Sequence, residues 1–215
     1  GESYADIPTV VRTVGLVPPE TRAARAQEMK EIADFAKLLK CEVVALHLGF
    51  VPHDTESPLY QEVLEVTRDI CNHCQANGQR LHLETGQESA DGLLQFIQDV
   101  GCDNLFVNFD PANMILYGTG EPIAALKQVG HLVRSVHCKD ALWAPEETRG
   151  TAWGQEVALG DGNVDMENYL RTLLELGYTG PLTIEREIPQ DRERQKADIG
   201  KAVQLLQDLK AKILG

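Results

Sequence analysis

The sequence predicts an α/β fold, more specifically a (β/α)₈ barrel, as a single domain over residues 1–215. Short apolar segments alternate with longer amphipathic segments, and strands that are joined through helices pair in parallel. The apolar segments also end on polar or ionisable side chains, which parallel α/β folds gather at the carboxyl ends of their strands. Alternate positions differ in polarity, whereas an open sheet covered on both faces would be apolar throughout. A barrel with a polar upper interior therefore fits the pattern best.

The elements follow one another in regular order after residues 1–20, which carry no strand pattern. The first helix begins near Thr21, and helical spacing predicts one buried face made of Met29, Ile32, Ala33, Ala36 and Leu39. Five further helices begin at N-cap residues or prolines, namely Ser57-Pro58, Ser89, Pro122, Asp165 and Asp191. The predicted strands are Val43–Leu48, Arg80–Glu84, Leu105–Phe109, Leu132–His137 and Leu182–Glu185. A long loop is predicted from His137 to about Val164.

Composition excludes several classes of partner. Lys and Arg number 20 against 33 Asp and Glu, which gives a formal net charge of −13. A nucleic acid or an anionic membrane needs a basic surface, so neither is expected as a partner. No apolar run approaches the roughly 20 residues of a membrane span. The five cysteines lie mostly in apolar patterns, and Cys71-x-x-Cys74 falls on a helical stripe, so we expect core packing in a reducing, cytoplasmic compartment.

The polar residues at the strand ends indicate the site. They are His47, Glu84, Asp110, His137 and Glu185. Each has an ordinary explanation by itself: an Asp before Pro forms turns, a strand-end His often packs in the core, and a strand-end Glu is often solvated. Because all five strands end in this way, a common site is the better interpretation. Two Glu, one Asp and one His form an oxygen-rich donor set that suits Mn²⁺, Mg²⁺ or Co²⁺ better than structural zinc.

Glu84, Asp110, His137 and Glu185, with His137-Cys-Lys-Asp140 and the loop Leu159-Gly-Asp-Gly-Asn-Val-Asp165, form a pattern that covers nearly the whole chain. It resembles the sugar phosphate isomerase/epimerase family of xylose isomerase-like TIM barrels, in the AP endonuclease family 2 superfamily. The resemblance implies that these four residues hold one divalent metal ion, Mn²⁺ first, with Mg²⁺, Co²⁺ or Zn²⁺ as alternatives. It also implies that Glu84 and Glu185 serve as the acid/base pair.

The chain departs from this family in two places. Endonuclease IV has a histidine three residues after the aspartate, where this chain has Asn113, and it has a later Asp-x-His pair, where this chain reads Thr148-Arg149-Gly150. We therefore expect one metal ion rather than three, and no DNA repair. The pattern of the family also makes Val43–Leu48 the fourth barrel strand. We accordingly expect the first strands of the barrel to be missing from this chain.

The function that the resemblance implies is isomerisation or epimerisation of a sugar or sugar phosphate, by proton transfer through an enediolate between the two glutamates. Two alternatives stay open: a metal-dependent dehydratase of an inosose or keto-sugar, and a non-catalytic sugar-binding barrel. The expected partner is a small-molecule sugar, and homo-oligomers are compatible with the sequence. We predict substrate contacts from His47, Asn113, Lys139 and Arg149. Trp143 and Trp153 are candidates for a lid, with packing of their loop as the more common alternative. The amides of Gly160-Asp161-Gly162 are candidates for binding an anion, although Gly-Asp-Gly more often forms only a turn.

Overall fold

The computed structural model describes residues 4–188 and 191–215. The chain divides into two compact units, residues 1–108 and residues 109–215. Each of the five predicted strands is present, and helices alternate with strands in both units. This confirms the α/β organisation. No helix within the described ranges is both long enough and apolar enough to cross a membrane.

The first unit contains four helices and three parallel strands. In chain order these are α1 (Ile7–Thr13), α2 (Pro19–Leu38), β1 (Val43–Leu46), α3 (Pro58–Ala76), β2 (Arg80–Glu84), α4 (Ala90–Val100) and β3 (Leu105–Phe109), whose last residue lies in the second unit. The strands are adjacent in the order β1-β2-β3. Val43 lies opposite Arg80, and Glu84 lies opposite Asn108. This register brings the carboxyl ends of β1 and β2 to one edge.

The helix starts of this unit follow the predicted capping residues. The Ser57 hydroxyl accepts the N–H of Tyr60 at the start of α3, and the Ser89 hydroxyl accepts that of Gly92 at the start of α4. Helix α1 was not predicted from the sequence. It has only seven residues, and its N-cap is Asp6, which accepts the N–H of Thr9. A short helix with two adjacent valines lacks the repeated spacing from which longer helices are recognised.

The predicted buried face of α2 is partly wrong. Met29 and Ala33 are buried, but Ile32 and Leu39 are 48% and 60% exposed. The helix packs mainly against α3 and β1, and the residues that it buries are Ala26, Met29 and Ala33. The buried stripe of α2 is therefore narrower than predicted. The spacing of apolar residues shows which face of a helix is buried, but it does not show how much of that face the neighbouring elements cover.

The second unit begins at Phe109, the last residue of β3, and contains a hairpin that the sequence did not indicate. Its elements are α5 (Pro111–Tyr117), α6 (Pro122–Val129), β4 (Val133–Cys138), β5 (Asp140–Leu142), β6 (Gln155–Val157), α7 (Met166–Glu175), β7 (Leu182–Ile184) and α8 (Arg192–Leu214). Strand β4 pairs in parallel with β7, and β5 pairs antiparallel with β6. The predicted long loop after His137 therefore contains a hairpin. Its strands of three residues are too short to show an alternating pattern.

Two short 3₁₀ helices, Gly130–Leu132 and Glu146–Thr148, complete the second unit. In β2, β3 and β4, the strand positions that alternate with the polar ones are buried, including Leu81, Leu83, Leu105, Val107 and Val136. In β7 the corresponding residues, Leu182 and Ile184, are only half-buried. Cys71 and Cys74 are free and fully buried, which confirms their packing role.

Candidate metal centre

Three of the predicted metal ligands meet in the second unit. Asp110 follows β3 directly, His137 lies in β4, and Glu185 follows β7. The Nδ1 atom of His137 lies 3.2 Å from Asp110 Oδ2 and 3.2 Å from Glu185 Oε2. One donor atom from each of the three residues lies within 4.8 Å of the others. Two carboxylates and one imidazole thus converge on a space the size of a coordination sphere.

The orientation of Asp110 is fixed by helix α5. Its Oδ1 atom accepts the N–H of Asn113 at 2.9 Å, so Asp110 is the N-cap of this helix and Pro111 occupies its first turn. The Oδ2 atom of Asp110 then faces His137. The side chain is fully buried. By itself, the Asp110-Pro111 pair would be interpreted as a turn. In the structure it begins helix α5, and the cap directs one carboxylate oxygen of Asp110 toward His137.

Lys139 places a buried positive charge among the carboxylates. Its Nζ atom lies 3.0 Å from Glu185 Oε2, 2.6 Å from Glu187 Oε2 and 4.0 Å from Asp110 Oδ2. It also donates a longer hydrogen bond to Asn113 Oδ1, at 3.4 Å. Burial by itself would lower the pKa of Lys139, but these carboxylates raise it above its ordinary value. Lys139 therefore stays protonated and acts as a hydrogen-bond donor rather than as a base.

Two residues near this centre were missed by sequence reasoning. Glu187 contacts Lys139, and it lies two residues after Glu185, so the alternation of side chains along the strand could have indicated it. The Tyr169 hydroxyl lies 3.2 Å from the carbonyl oxygen of His137 and 3.4 Å from that of Phe109. Tyr169 is fully buried and belongs to the apolar stripe of α7, so its pattern gives no sign of this role.

Glu84 and His47 lie together in the first unit. Glu84 is the last residue of β2, and His47 follows β1 directly. The distance from His47 Nε2 to Glu84 Oε1 is 3.4 Å. Both side chains are largely buried, with 26% of the histidine and 12% of the glutamate exposed. A protonated His47 would form an ion pair with Glu84, and a neutral one could donate a hydrogen bond to it.

Arg149 and the two tryptophans make contacts within their own part of the chain. The Arg149 guanidinium lies 4.7 Å above the Trp143 ring, and its Nε donates to the carbonyl oxygen of Ala144 at 3.3 Å. The Trp153 ring lies 4.9 Å from that of Tyr117. The substrate contact predicted for Arg149 and the lid predicted for the tryptophans stay predictions.

The glycine loop predicted to bind an external anion instead binds Asp140. The carboxylate of Asp140 accepts the N–H groups of Gly160 and Gly162 at one oxygen, and those of Ala141 and Val164 at the other. Burial raises the pKa of Asp140, and these backbone hydrogen bonds oppose the rise. The amides of Gly160 and Gly162 are therefore already used within the chain. The anion-binding expectation is wrong for these two groups.

The donor set suits a hard or borderline divalent cation. Carboxylate oxygens and one imidazole nitrogen are ligands of Mn²⁺, Mg²⁺, Co²⁺ and Zn²⁺. Asp110 is buried and held by α5, Glu185 is hydrogen-bonded to Lys139, and both face His137. Bound cations are often held in this way by ligands that are themselves fixed by a second layer of contacts. The residues of the second unit thus fit a divalent metal ion.

Solved structures share the fold of this chain. The crystal structure of a xylose isomerase domain protein from Planctomyces limnophilus is 61% identical and covers 100% of this chain and 74% of its own, with a TM-score of 0.93. A xylose isomerase-like TIM barrel protein from Mycobacterium smegmatis, solved with magnesium, is 20% identical over 93% of this chain and 71% of its own, with a TM-score of 0.69. A D-tagatose 3-epimerase-like protein is 19% identical over 93% of this chain and 74% of its own, with a TM-score of 0.72.

Among curated proteins, the uncharacterised protein MJ1311 of Methanocaldococcus jannaschii is 24% identical over 74% of this chain. The inosose dehydratase of Clostridium botulinum is 26% identical over 49% of this chain. The matches span 55% and 38% of the length of these two proteins. The sequence model of the family described as "Xylose isomerase-like TIM barrel" matches residues 3–209. The chain belongs to the xylose isomerase-like TIM barrel family.

Proposed function

We propose that this chain is a divalent-metal-dependent isomerase or epimerase of a sugar or sugar phosphate, in which Glu84, Asp110, His137 and Glu185 hold one metal ion. The observation that carries the proposal is the position of His137 Nδ1, 3.2 Å from a carboxylate oxygen of both Asp110 and Glu185. Lys139, which stays protonated beside Glu185, adds a donor for substrate oxygens.

The register of the first unit supports Glu84 as the fourth ligand. Glu84 lies opposite Asn108 in the pairing of β2 with β3, and Asp110 follows Asn108 by two residues. Because side chains alternate along a strand, Asn108 and Asp110 are directed to the same side. We infer from this register that Glu84 belongs to the same ligand set as Asp110. The contact with His47 gives the Glu84 carboxylate a polar partner within the first unit.

The two glutamates supply the proton chemistry in this proposal. A bound divalent ion supplies positive charge that stabilises an enediolate when a carbon next to a carbonyl loses its proton. Glu185, 30% exposed, takes the proton as general base, and Lys139 holds one of its oxygens at 3.0 Å. Glu84, protonated from solvent, donates a proton from the other face of the substrate, and Glu185 afterwards releases its proton to solvent. Return to the same carbon gives an epimer, and return to the neighbouring carbon gives an isomer.

The remaining substrate contacts are proposed from side chains beside these glutamates. Asn113 is buried, and its amide oxygen accepts from Lys139, so its amide group can fix the lysine and bind a hydroxyl. His47 next to Glu84 can bind a second hydroxyl. Arg149 is kept as a candidate for a more distant hydroxyl or phosphate. Mn²⁺ is the metal that we expect first, and a cytoplasmic location, expected from the free cysteines, stays a prediction.

A dehydratase is the second candidate, favoured by the similarity to the inosose dehydratase of Clostridium botulinum. The first step is the same: Glu185 removes a proton next to a carbonyl. The outcome differs because a neighbouring hydroxyl then takes a proton from protonated Glu84 and leaves as water. The product contains a new double bond conjugated with the carbonyl.

One experiment separates these candidates. The Mn²⁺-loaded chain is incubated in D₂O with a panel of ketoses, sugar phosphates and inososes, and the mixture is followed by NMR and ultraviolet absorption. An isomerase or epimerase incorporates deuterium next to a carbonyl and gives a rearranged sugar. A dehydratase loses water and gives an absorbing product. Binding of a sugar without turnover or exchange across the panel would contradict both and support a non-catalytic barrel.

A further inference from the structure

The segment that carries Glu185 is held by a cluster of largely buried ion pairs around Arg186. Arg186 follows Glu185, and its side chain is only 6% exposed. Its Nη1 donates to Glu156 Oε1 at 2.8 Å, and its Nε donates to Asp198 Oδ2 at 3.0 Å. Glu156 lies in β6 and Asp198 in α8, and both carboxylates are largely buried. We call Glu156, Arg186 and Asp198 the arginine clamp.

The backbone around Arg186 is held by the same elements. The carbonyl oxygen of Arg186 accepts from Gln195 Nε2 at 2.9 Å, and the N–H of Glu187 donates to Glu156 Oε1 at 2.9 Å. The N–H of Glu185 donates to the carbonyl oxygen of Cys138 at 3.2 Å. One oxygen of Glu156 therefore binds both the guanidinium and the next backbone amide. Strand β7 ends at Ile184. Residues 185–187 are therefore held by these contacts instead of by the regular hydrogen bonds of a β-sheet.

We propose that the arginine clamp positions Glu185 and Glu187 at the metal centre, and that the hairpin β5–β6 serves to deliver Glu156 to it. Glu156, Arg186 and Asp198 are positioning residues that act through the backbone of residues 185–187. The inference rests on the proposed function, because it assumes that Glu185 is a metal ligand.

The alternation of the segment explains how the clamp works. Side chains at successive extended positions are directed to opposite sides, so Glu185 and Glu187 face Lys139 while Arg186 faces the clamp. When the Arg186 side chain is held in place, the backbone of residues 185–187 cannot rotate about its own axis. The side chains of Glu185 and Glu187 then stay directed toward Lys139. Arginine suits this task because its planar group donates from two nitrogens to two separate carboxylates, which one lysine ammonium reproduces poorly. Buried ion pairs often add little stability, whereas they can specify one geometry.

The test measures Mn²⁺ affinity, by electron paramagnetic resonance of free Mn²⁺, together with amide hydrogen exchange of the metal-free chain. Glu156→Gln keeps an acceptor for the Glu187 amide but removes the charge that holds Arg186. Arg186→Met removes the cation, and Arg186→Lys keeps the charge without the fork. We expect Mn²⁺ binding about 10–100-fold weaker for Arg186→Met, a smaller loss for Glu156→Gln and partial recovery for Arg186→Lys. Hydrogen exchange of the Glu187 amide should be accelerated most in Arg186→Met and less in Glu156→Gln and Arg186→Lys.

Two controls separate positioning from general stability. Leu206→Ala truncates a buried side chain of α8, the helix that carries Asp198. Leu206 is not one of the residues of the arginine clamp. Leu206→Ala should lower the melting temperature and leave Mn²⁺ affinity unchanged. Arg171→Met removes the pair with Glu167, a half-exposed ion pair of the same unit, and should change neither. If Arg186→Met does not fold, Glu156→Gln and Arg186→Lys carry the test.

The outcomes distinguish this inference from the proposed function. Wild-type Mn²⁺ affinity and amide protection in Glu156→Gln and Arg186→Lys would overturn the clamp while leaving the metal centre intact. Affinity lost equally in Leu206→Ala would also overturn it, because the effect would then follow stability. A wild-type chain that binds no divalent ion would overturn the proposed function, and the inference with it.

Discussion

Replacing Asp140 with asparagine changes one atom of a buried carboxylate that accepts four backbone hydrogen bonds. The carboxylate oxygens accept the N–H groups of Gly160, Gly162, Ala141 and Val164 at 3.0–3.1 Å, two on each oxygen. Asparagine keeps one oxygen, so its NH₂ group faces two donors that then have no acceptor. Unsatisfied buried donors cost about 1–3 kcal/mol each.

The expected loss is smaller than the sum of these costs because asparagine also removes a buried charge. Burial raises the pKa of Asp140, which shows that the ionised form is held at some cost. After this gain is subtracted, we expect Asp140→Asn to lower the free energy of unfolding by about 2–4 kcal/mol. At about 2–4 °C per kcal/mol for a chain of this size, the melting temperature should fall by roughly 4–16 °C.

The measurement is urea denaturation followed by circular dichroism, with thermal melting as a second probe. Asp161→Asn is the matched control, because Asp161 lies between the two glycines of the loop and is exposed. Its stability should stay within about 0.5 kcal/mol of the wild-type value. Equal stability of Asp140→Asn and Asp161→Asn would refute the argument that the buried carboxylate holds the loop.

Three further predictions concern the metal centre and the first unit. Asp110→Ala and His137→Ala should each abolish stoichiometric Mn²⁺ binding in calorimetry, and undiminished binding in either would contradict the ligand set. Glu185→Gln keeps a carbonyl oxygen for the metal, so it should retain Mn²⁺ while the rate of solvent deuterium exchange falls by at least about 10²–10⁴; exchange at the wild-type rate would mean that another group is the base. Burial raises the pKa of Glu88 from 4.5 to about 7, against a hydrogen bond from the N–H of Val51 that lowers it. Protonated Glu88 therefore favours the folded state, so its contribution is complete below pH 4.5 and lost as the pH rises through 7. Between pH 4.5 and about 7, the free energy of unfolding of Glu88→Gln should therefore change by roughly 3 kcal/mol less than that of the wild type, as measured by urea denaturation. The same pH dependence in both proteins would contradict this prediction.

The sequence predicted strand ends better than it predicted what surrounds them. Strand β2 and strand β3 have the predicted bounds, because their apolar runs are bordered by turn residues and polar ends. The ligand types followed from the same pattern, since parallel strands bring their carboxyl ends to one edge. Local signals of this kind depend on neighbouring residues in the chain. They are available before any tertiary contact is known.

The width of buried faces and the use of loop amides could not be predicted in the same way. Ile32 fits the helical stripe of α2 and is nevertheless exposed, because burial depends on which elements cover the helix. The amides of Gly160 and Gly162 fit an anion site, yet their anion is Asp140, twenty residues earlier in the chain. Both outcomes are decided by contacts between distant segments, for which one sequence carries no spacing rule.

The orientation of the proposed ligands depends on such distant contacts, although their identity was predicted from the sequence. Asp110 is an exception, because the helix that caps on it follows immediately in the chain. The carbonyl oxygen of His137 accepts from Tyr169 of α7, and Glu185 accepts from Lys139. The neighbouring Arg186 is bound to Asp198 and Glu156, and we propose that it positions Glu185 through the backbone. A metal ion tolerates small errors in ligand position poorly, so these supports should contribute to affinity, although less than the proposed ligands themselves. Substitutions at Tyr169 and Arg186 are therefore expected to weaken metal binding although neither residue offers the ion a donor atom.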